Sequence, residues 1–167
     1  MIEIRFAGFG GQGIVRSGYI VGKAVTIYDN RYATFSQSYG PEARGGACSA
    51  QVVVDDDVVL YPYVSDADVL VTMSQEAYNK YHTELKPGGT LLYDEDLVKV
   101  EPIKGAKMFS IPATRFAEEV GKRIIANVVM LGFFTAMTEV VSAEAMKNAI
   151  PEYVPERMLE LNLEVFD

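Results

Sequence analysis

Four glycines crowd into Gly8-Phe9-Gly10-Gly11-Gln12-Gly13, between a short run, Ile2 to Phe6, and a helical pattern from Ile14 to Tyr28. Such a turn bends sharply and lets the backbone approach a ligand with no Cβ in the way. The helix that follows offers unpaired N–H groups and the positive end of its dipole, so the chemistry on offer is phosphate binding. Gly8, Gly10 and Gly13 also satisfy the G-x-G-x-x-G spacing of dinucleotide-binding folds. That fingerprint wants an acidic residue about 20 residues on, where the second strand ends, to hold a ribose. The second strand is expected over Arg31–Gln37 and runs out in Ser36-Gln37-Ser38, with no carboxylate. The loop suits a phosphate but lacks the ribose half of the signature. Close packing of a strand on a helix is the other use of glycines placed this way.

A second unusual segment is Tyr39-Gly40-Pro41-Glu42-Ala43-Arg44-Gly45-Gly46. Gly40-Pro41 fixes a turn, and Gly45-Gly46 frees the backbone just before the next strand. Arg44 can offer a planar five-donor fork to a phosphate or carboxylate. On the residues alone, a binding loop and a plain surface loop stand equal. Arg16, Lys23 and Arg44 are the candidates for a local basic patch on a chain whose formal charge is −8. That charge argues against a general nucleic-acid or anionic-membrane binder.

The single cysteine, Cys48, excludes an internal disulfide and any iron–sulfur or zinc site built from cysteines of this chain. It is expected as a small buried thiol entering a strand. The single histidine, His82, is expected to cap a helix end, and no Cys-His dyad is in prospect. The chain opens without a basic, apolar leader pattern, which points to the cytoplasm.

Elements that must position these loops follow from hydrophobic periodicity. Strands are expected over Ile2–Ala7, Arg31–Gln37, Ala50–Val54, Val58–Tyr61, Asp68–Met73, Thr90–Asp94 and Lys107–Ile111. Ala50–Val54 and Val58–Tyr61 flank Asp55-Asp56-Asp57 and read as a hairpin, which makes the sheet mixed. Pro87-Gly88-Gly89 is expected to break the chain before its strand. Helices are expected over Gly13–Tyr28, from Ser74 as cap to Tyr81, from Pro112-Ala113-Thr114 to Gly121, and over much of the remainder: Arg123–Val141, Ser142–Ala149 and from Val154. Ile124–Val141 carries one charge, Glu139, and reads as a helix buried on all sides, by neighbouring helices or by a partner subunit. At 18 residues it brushes the length of a membrane span, but Asn127, Gly132 and Thr135 argue against that role. The expected architecture is one α/β domain over residues 1–167: three layers, α/β/α, a Rossmann-like mixed sheet with a hairpin, and a helical C-terminal part.

Gly8-Phe9-Gly10-Gly11-Gln12-Gly13, Tyr39-Gly40-Pro41-Glu42-Ala43-Arg44-Gly45-Gly46 and Ala126-Asn127-Val128-Val129-Met130-Leu131-Gly132 together resemble the gamma subunit of 2-oxoacid:ferredoxin oxidoreductases, in order and spacing over nearly the whole chain. The resemblance implies a heteromer with alpha, beta and delta subunits. Thiamine diphosphate and iron–sulfur clusters would lie on those partners, and ferredoxin would accept the electrons. It implies coenzyme A as co-substrate, with Gly8, Gly10, Gly11, Gln12, Gly13, Arg44, Gly45, Gly46 and Asn127 as binding candidates, and no catalytic residue or metal here. Coenzyme A carries phosphates yet needs no acid on a ribose 2′-hydroxyl, which fits Ser36-Gln37. The isolated chain is then expected to be inactive and to self-associate, with a homodimer as one form. The alternatives are a self-sufficient Rossmann-type nucleotide-dependent oxidoreductase and a pure assembly scaffold.

Overall fold

In the computed structural model the described residues are 2–9, 14–28, 31–39, 47–55, 67–101, 105–120, 126–138 and 145–146. They form a mixed six-stranded sheet of order β2-β3-β1-β4-β5-β6: β1 Ile2–Phe9, β2 Tyr32–Tyr39, β3 Ala47–Asp55, β4 Ala67–Thr72, β5 Leu85–Asp94 and β6 Lys107–Ile111. The helices are α1 Ile14–Lys23, α2 Gln75–Tyr81, α3 Ala113–Val120 and α4 Ala126–Thr138. β1, β4, β5 and β6 run parallel, while β3 runs antiparallel to both β1 and β2.

Alternation along β1 sorts the core into two layers. Ile4 and Phe6 face Ile14, Ile20 and Val21 of α1 and Phe134 of α4, with Phe6 and Phe134 edge to face at 5.4 Å. Ala7 faces the other way, toward Ala77, Tyr78 and Tyr81 of α2, together with Leu70 and Leu91. The three-layer α/β expectation holds.

The expected hairpin partner does not. β3 is paired along its length by β1 on one edge and β2 on the other, so no edge is left for Val58–Tyr61. Val58–Tyr61 itself lies outside the described residues. The antiparallel neighbours are β2 and β3, joined through residues 40–46. β5 also begins earlier than expected. It runs through Pro87-Gly88-Gly89, and the break appears as a register shift: Ala67 pairs with Leu85, but Val69 pairs with Thr90. Gly88, at φ 81°, absorbs the irregularity.

The first helix stops being α-helical at Lys23 and closes with a π turn, Ala24–Tyr28. Thr26 Oγ1 there donates to the Gly22 carbonyl at 2.9 Å. Ser74 caps α2 as its sequence position implies: the Ala77 amide donates to its hydroxyl at 3.2 Å. His82 closes the same helix, with Nδ1 2.8 Å from the Tyr78 carbonyl, so Nδ1 carries the proton. α4 is buried through Val129, Met130, Leu131, Phe134 and Thr135, but Met137 is exposed. The exposed Met137 leaves one side of this helix uncovered within the chain itself, the side that the partner-subunit alternative would have to cover. Its last expected residues, 139–141, and most of the later helical segments lie outside the described residues.

α1 meets the sheet at Gly18. A Cβ there would sit 2.7 Å from the Phe35 ring and 2.8 Å from the Ala50 Cβ. Gly18→Val is expected to push α1 off β2 and β3, and to lower stability by about 1–3 kcal/mol, the usual cost of overpacking. Urea unfolding of the purified variant against the parent measures it.

Candidate site at the carboxyl edge of the sheet

The parallel strands end together, at Phe9, Thr72, Asp94 and Ile111, and the turns beyond these ends share one edge of the sheet. β3 starts at that edge and β2 finishes there: Phe9 lies opposite Ala47, Gly8 opposite Cys48, and Tyr39 opposite Cys48. The described ends of the two glycine segments thus lie at one level of the sheet, on either side of β3. Gly8 is placed within β1 and buried. Gly10, Gly11, Gln12, Gly13, Arg44, Gly45 and Gly46 lie outside the described residues. Asn127 is in the first turn of α4, and its side chain also lies outside them. The Cys48 backbone belongs to β3; its thiol is likewise outside the described residues.

The connections leaving β1 and β4 go to opposite faces. α1 packs on the face with Ile4 and Phe6, and α2 on the face with Ala7 and Leu70. The boundary between β1 and β4 is a topological switch point, where adjacent loops diverge and leave a crevice outside the strand ends. The Met73 amide, donating to the Ala7 carbonyl at 2.9 Å, ties the two strands together just below it.

Three described helices begin at this edge. Two have their first-turn amides engaged from within the chain. Ser74 takes the Ala77 amide of α2. Asp94, fully buried at the end of β5, takes the Thr114 amide of α3 at 2.9 Å and the Thr114 hydroxyl at 2.7 Å. Its other carboxylate oxygen accepts from the Asp96 amide at 3.0 Å. Arg115 and Asp96 form an ion pair beside it. Asp96 holds the Arg115 guanidinium above its ordinary pKa, chiefly through the hydrogen bond between them. The first turn of α1, Ile14-Val15-Arg16-Ser17, carries no acid, as is true of α3. It carries an exposed cation, Arg16, at the end of a helix where a cation is disfavoured unless an anion neutralises it; the corresponding cation of α3, Arg115, has Asp96 for this. Lys23, in contrast, sits in the last turn of α1, about 10 Å along the axis from Arg16 at 1.5 Å per residue, and does not join it.

Several polar side chains of the described edge and sheet face bond one another. Ser36 donates to Gln51 at 3.1 Å, Gln51 bonds Ser49, and the Tyr81 hydroxyl donates to Ser49 at 3.2 Å. Arg5 pairs with Glu84 and lies 4.5 Å from the Tyr81 ring centre. Thr72 is an exception: it is fully buried at the end of β4, and its hydroxyl has no hydrogen-bond partner. Asp94 is the residue that sequence reasoning passed over. Its signal is a carboxylate ending a β-strand with Thr114 opening a later helix, 20 residues on. Among the described residues no cluster of His, Cys, Asp or Glu is placed to hold a metal ion, and no helix is long and apolar enough to cross a membrane.

Residues 3–167 match the family described as pyruvate ferredoxin/flavodoxin oxidoreductase. The 2-oxoglutarate synthase subunit KorC of Methanocaldococcus jannaschii is 49% identical over 98% of this chain and 89% of its own length. The structure of the keto/oxoacid ferredoxin oxidoreductase gamma subunit from Geobacter sulfurreducens superimposes with a TM-score of 0.89 at 42% identity, covering 99% of this chain and 94% of that one. The 2-oxoglutarate:ferredoxin oxidoreductase of Magnetococcus marinus, solved with 2-oxoglutarate, coenzyme A and succinyl-CoA bound, matches with a TM-score of 0.88 at 27% identity. There the match covers 99% of this chain but 30% of the longer one.

Proposed function

The chain belongs to the pyruvate ferredoxin/flavodoxin oxidoreductase family, as a gamma-type subunit of a 2-oxoacid:ferredoxin oxidoreductase, and from that premise we propose that it holds coenzyme A at the carboxyl edge of its sheet. The observation that carries this reading is the start of α1. It follows the glycine segment at the switch point and presents the exposed Arg16, while first-turn amides of α2 and α3 are bonded to Ser74 and Asp94. Loop N–H groups over residues 10–13 bind the coenzyme A diphosphate, as helix N-termini bind phosphates generally. Arg44, on the neighbouring loop, pairs with a phosphate or braces the first loop, flanked by Gly45 and Gly46. Asn127 completes the set from α4. The coenzyme A found in the Magnetococcus marinus structure supports the ligand, and the KorC relatives support 2-oxoglutarate as the oxoacid.

The work of this chain is binding and positioning. The overall reaction takes a 2-oxoacid, coenzyme A and oxidised acceptor to acyl-CoA, carbon dioxide and reduced acceptor. The groups that break the carbon–carbon bond and carry two electrons to ferredoxin, thiamine diphosphate and iron–sulfur clusters, belong to the alpha, beta and delta partners in this reading. In this reading α1, α4 and the sheet are the frame from which the two glycine segments are presented.

Arg44→Ala is expected to weaken coenzyme A binding to the assembled complex by about 1.5–3 kcal/mol, the range for a hydrogen bond to a charged group. Calorimetric titration of parent and variant complexes tests it. Unchanged affinity in a normally assembled variant would leave Arg44 without a role in the site.

A further inference from the structure

Resting on the proposed reading that this edge holds coenzyme A, we infer that Arg16 reads the 3′-phosphate of its nucleotide end, and so separates coenzyme A from the dephospho form. Arg16 is exposed and is the third residue of α1, whose buried side is formed by Ile14, Ser17 and Gly18. A helical side chain leans back toward the start of its helix, so this guanidinium serves the ground beside the glycine segment. Among the described residues no carboxylate pairs with it.

α3 shows what an arginine in this place does. Arg115 is likewise the third residue of its helix. It grips both carboxylate oxygens of Asp96, from the turn after β5, through Nε at 3.0 Å and through Nη2. This is the two-pronged hold that a guanidinium gives an oxyanion. The turn after β4, Met73-Ser74, supplies α1 with no carboxylate, and the Ser74 hydroxyl is engaged by the Ala77 amide. The cation of α1 is matched to an oxyanion from outside the chain.

The same crevice carries a second sign of a ligand. Thr72 ends β4 level with Ala7 of β1, is fully buried, and its hydroxyl has no hydrogen-bond partner. A buried hydroxyl left in this way costs stability and calls for a partner that the protein does not supply. The two groups flank the switch point, Arg16 on α1 and Thr72 on the face of Leu70 and α2.

The chemistry of the ligand selects the phosphate. Coenzyme A ends in a thiol that must reach the acyl group on a partner subunit, so the opposite, nucleotide end is the one left to this chain. Residues 10–13 take the diphosphate in the proposed reading. The 3′-phosphate stands apart as a terminal monoester with about two negative charges and three free oxygens, the form that a guanidinium fork holds best.

Calorimetric titration of the assembled complex with coenzyme A and with dephospho-coenzyme A tests this. The parent is expected to bind coenzyme A about tenfold or more tightly, the size of one charge-assisted hydrogen bond. Arg16→Ala should bring coenzyme A down to the dephospho level and leave dephospho-coenzyme A as in the parent. Arg16→Lys should keep part of the preference, as a charge without the fork. Added salt should narrow the preference of the parent but not that of Arg16→Ala. A parent complex without preference would overturn the inference. So would Arg16→Ala that weakens both ligands alike or keeps the preference. Gly11→Val tells these failures from a failure of the site. If it loses both ligands while Arg16→Ala changes neither, the site stands and Arg16 has no part in it. If it binds both like the parent, the site falls and the inference with it.

Discussion

Asp94→Ala is expected to cost about 2–4 kcal/mol of folding stability, summed from a charged hydrogen-bond acceptor lost and buried donors left unpaired. The carboxylate is fully buried and accepts three hydrogen bonds, from the Asp96 amide and from the Thr114 amide and hydroxyl. Removing it leaves the Thr114 amide and hydroxyl without an acceptor in a site that water does not reach freely. It also removes a negative charge from the first turn of α3, where the helix dipole favours one. The loss is not confined to α3. Asp94 ends β5, its carbonyl accepts from the Leu97 and Val98 amides, and Val98 is part of the core beneath α2. Asp94→Asn keeps the volume and one acceptor oxygen but loses the charge, so it should fall between parent and Ala. Urea unfolding of the three proteins reads the order directly. If Asp94→Ala matched the parent, the junction between β5 and α3 would not be holding the carboxyl edge in shape.

Much of this fold was legible because its signals are local. Lys107–Ile111 appears as the strand that its bounds suggested, and Ser74 caps α2 because a hydroxyl before a helical run has few better uses. His82 likewise takes the helix-end role that its position implied. Pairing partners were not legible. Ala50–Val54 carries the same β-branched signature whether it pairs with the segment after it or with β1 and β2, and long-range register decided the matter. Uniform apolarity did not say which side of α4 the chain itself leaves uncovered, because a helix with no polar stripe marks no outer face; Met137 shows it.

The candidate site divides in the same way. The glycine spacing suggested a phosphate loop, but the switch point between β1 and β4 exists only in the sheet order. The engagement of α2 by Ser74 was readable from sequence; that of α3 by Asp94, 20 residues away, was not. α1 is the helix to which the glycine motif pointed.

The sharpest test of that assignment is Gly11→Val. A branched side chain in a turn that closely approaches a diphosphate leaves no room for the ligand and restricts the backbone that presents the N–H groups. The expected loss of coenzyme A affinity is about a hundredfold or more, near 3 kcal/mol. The sheet and helices described above do not depend on that side chain, so subunit assembly should persist. The decisive measurement is calorimetric titration of the assembled Gly11→Val complex with coenzyme A. The account predicts an intact complex whose coenzyme A binding has fallen at least about a hundredfold. An intact complex that binds coenzyme A like its parent would contradict it and leave the glycine loop as a packing device.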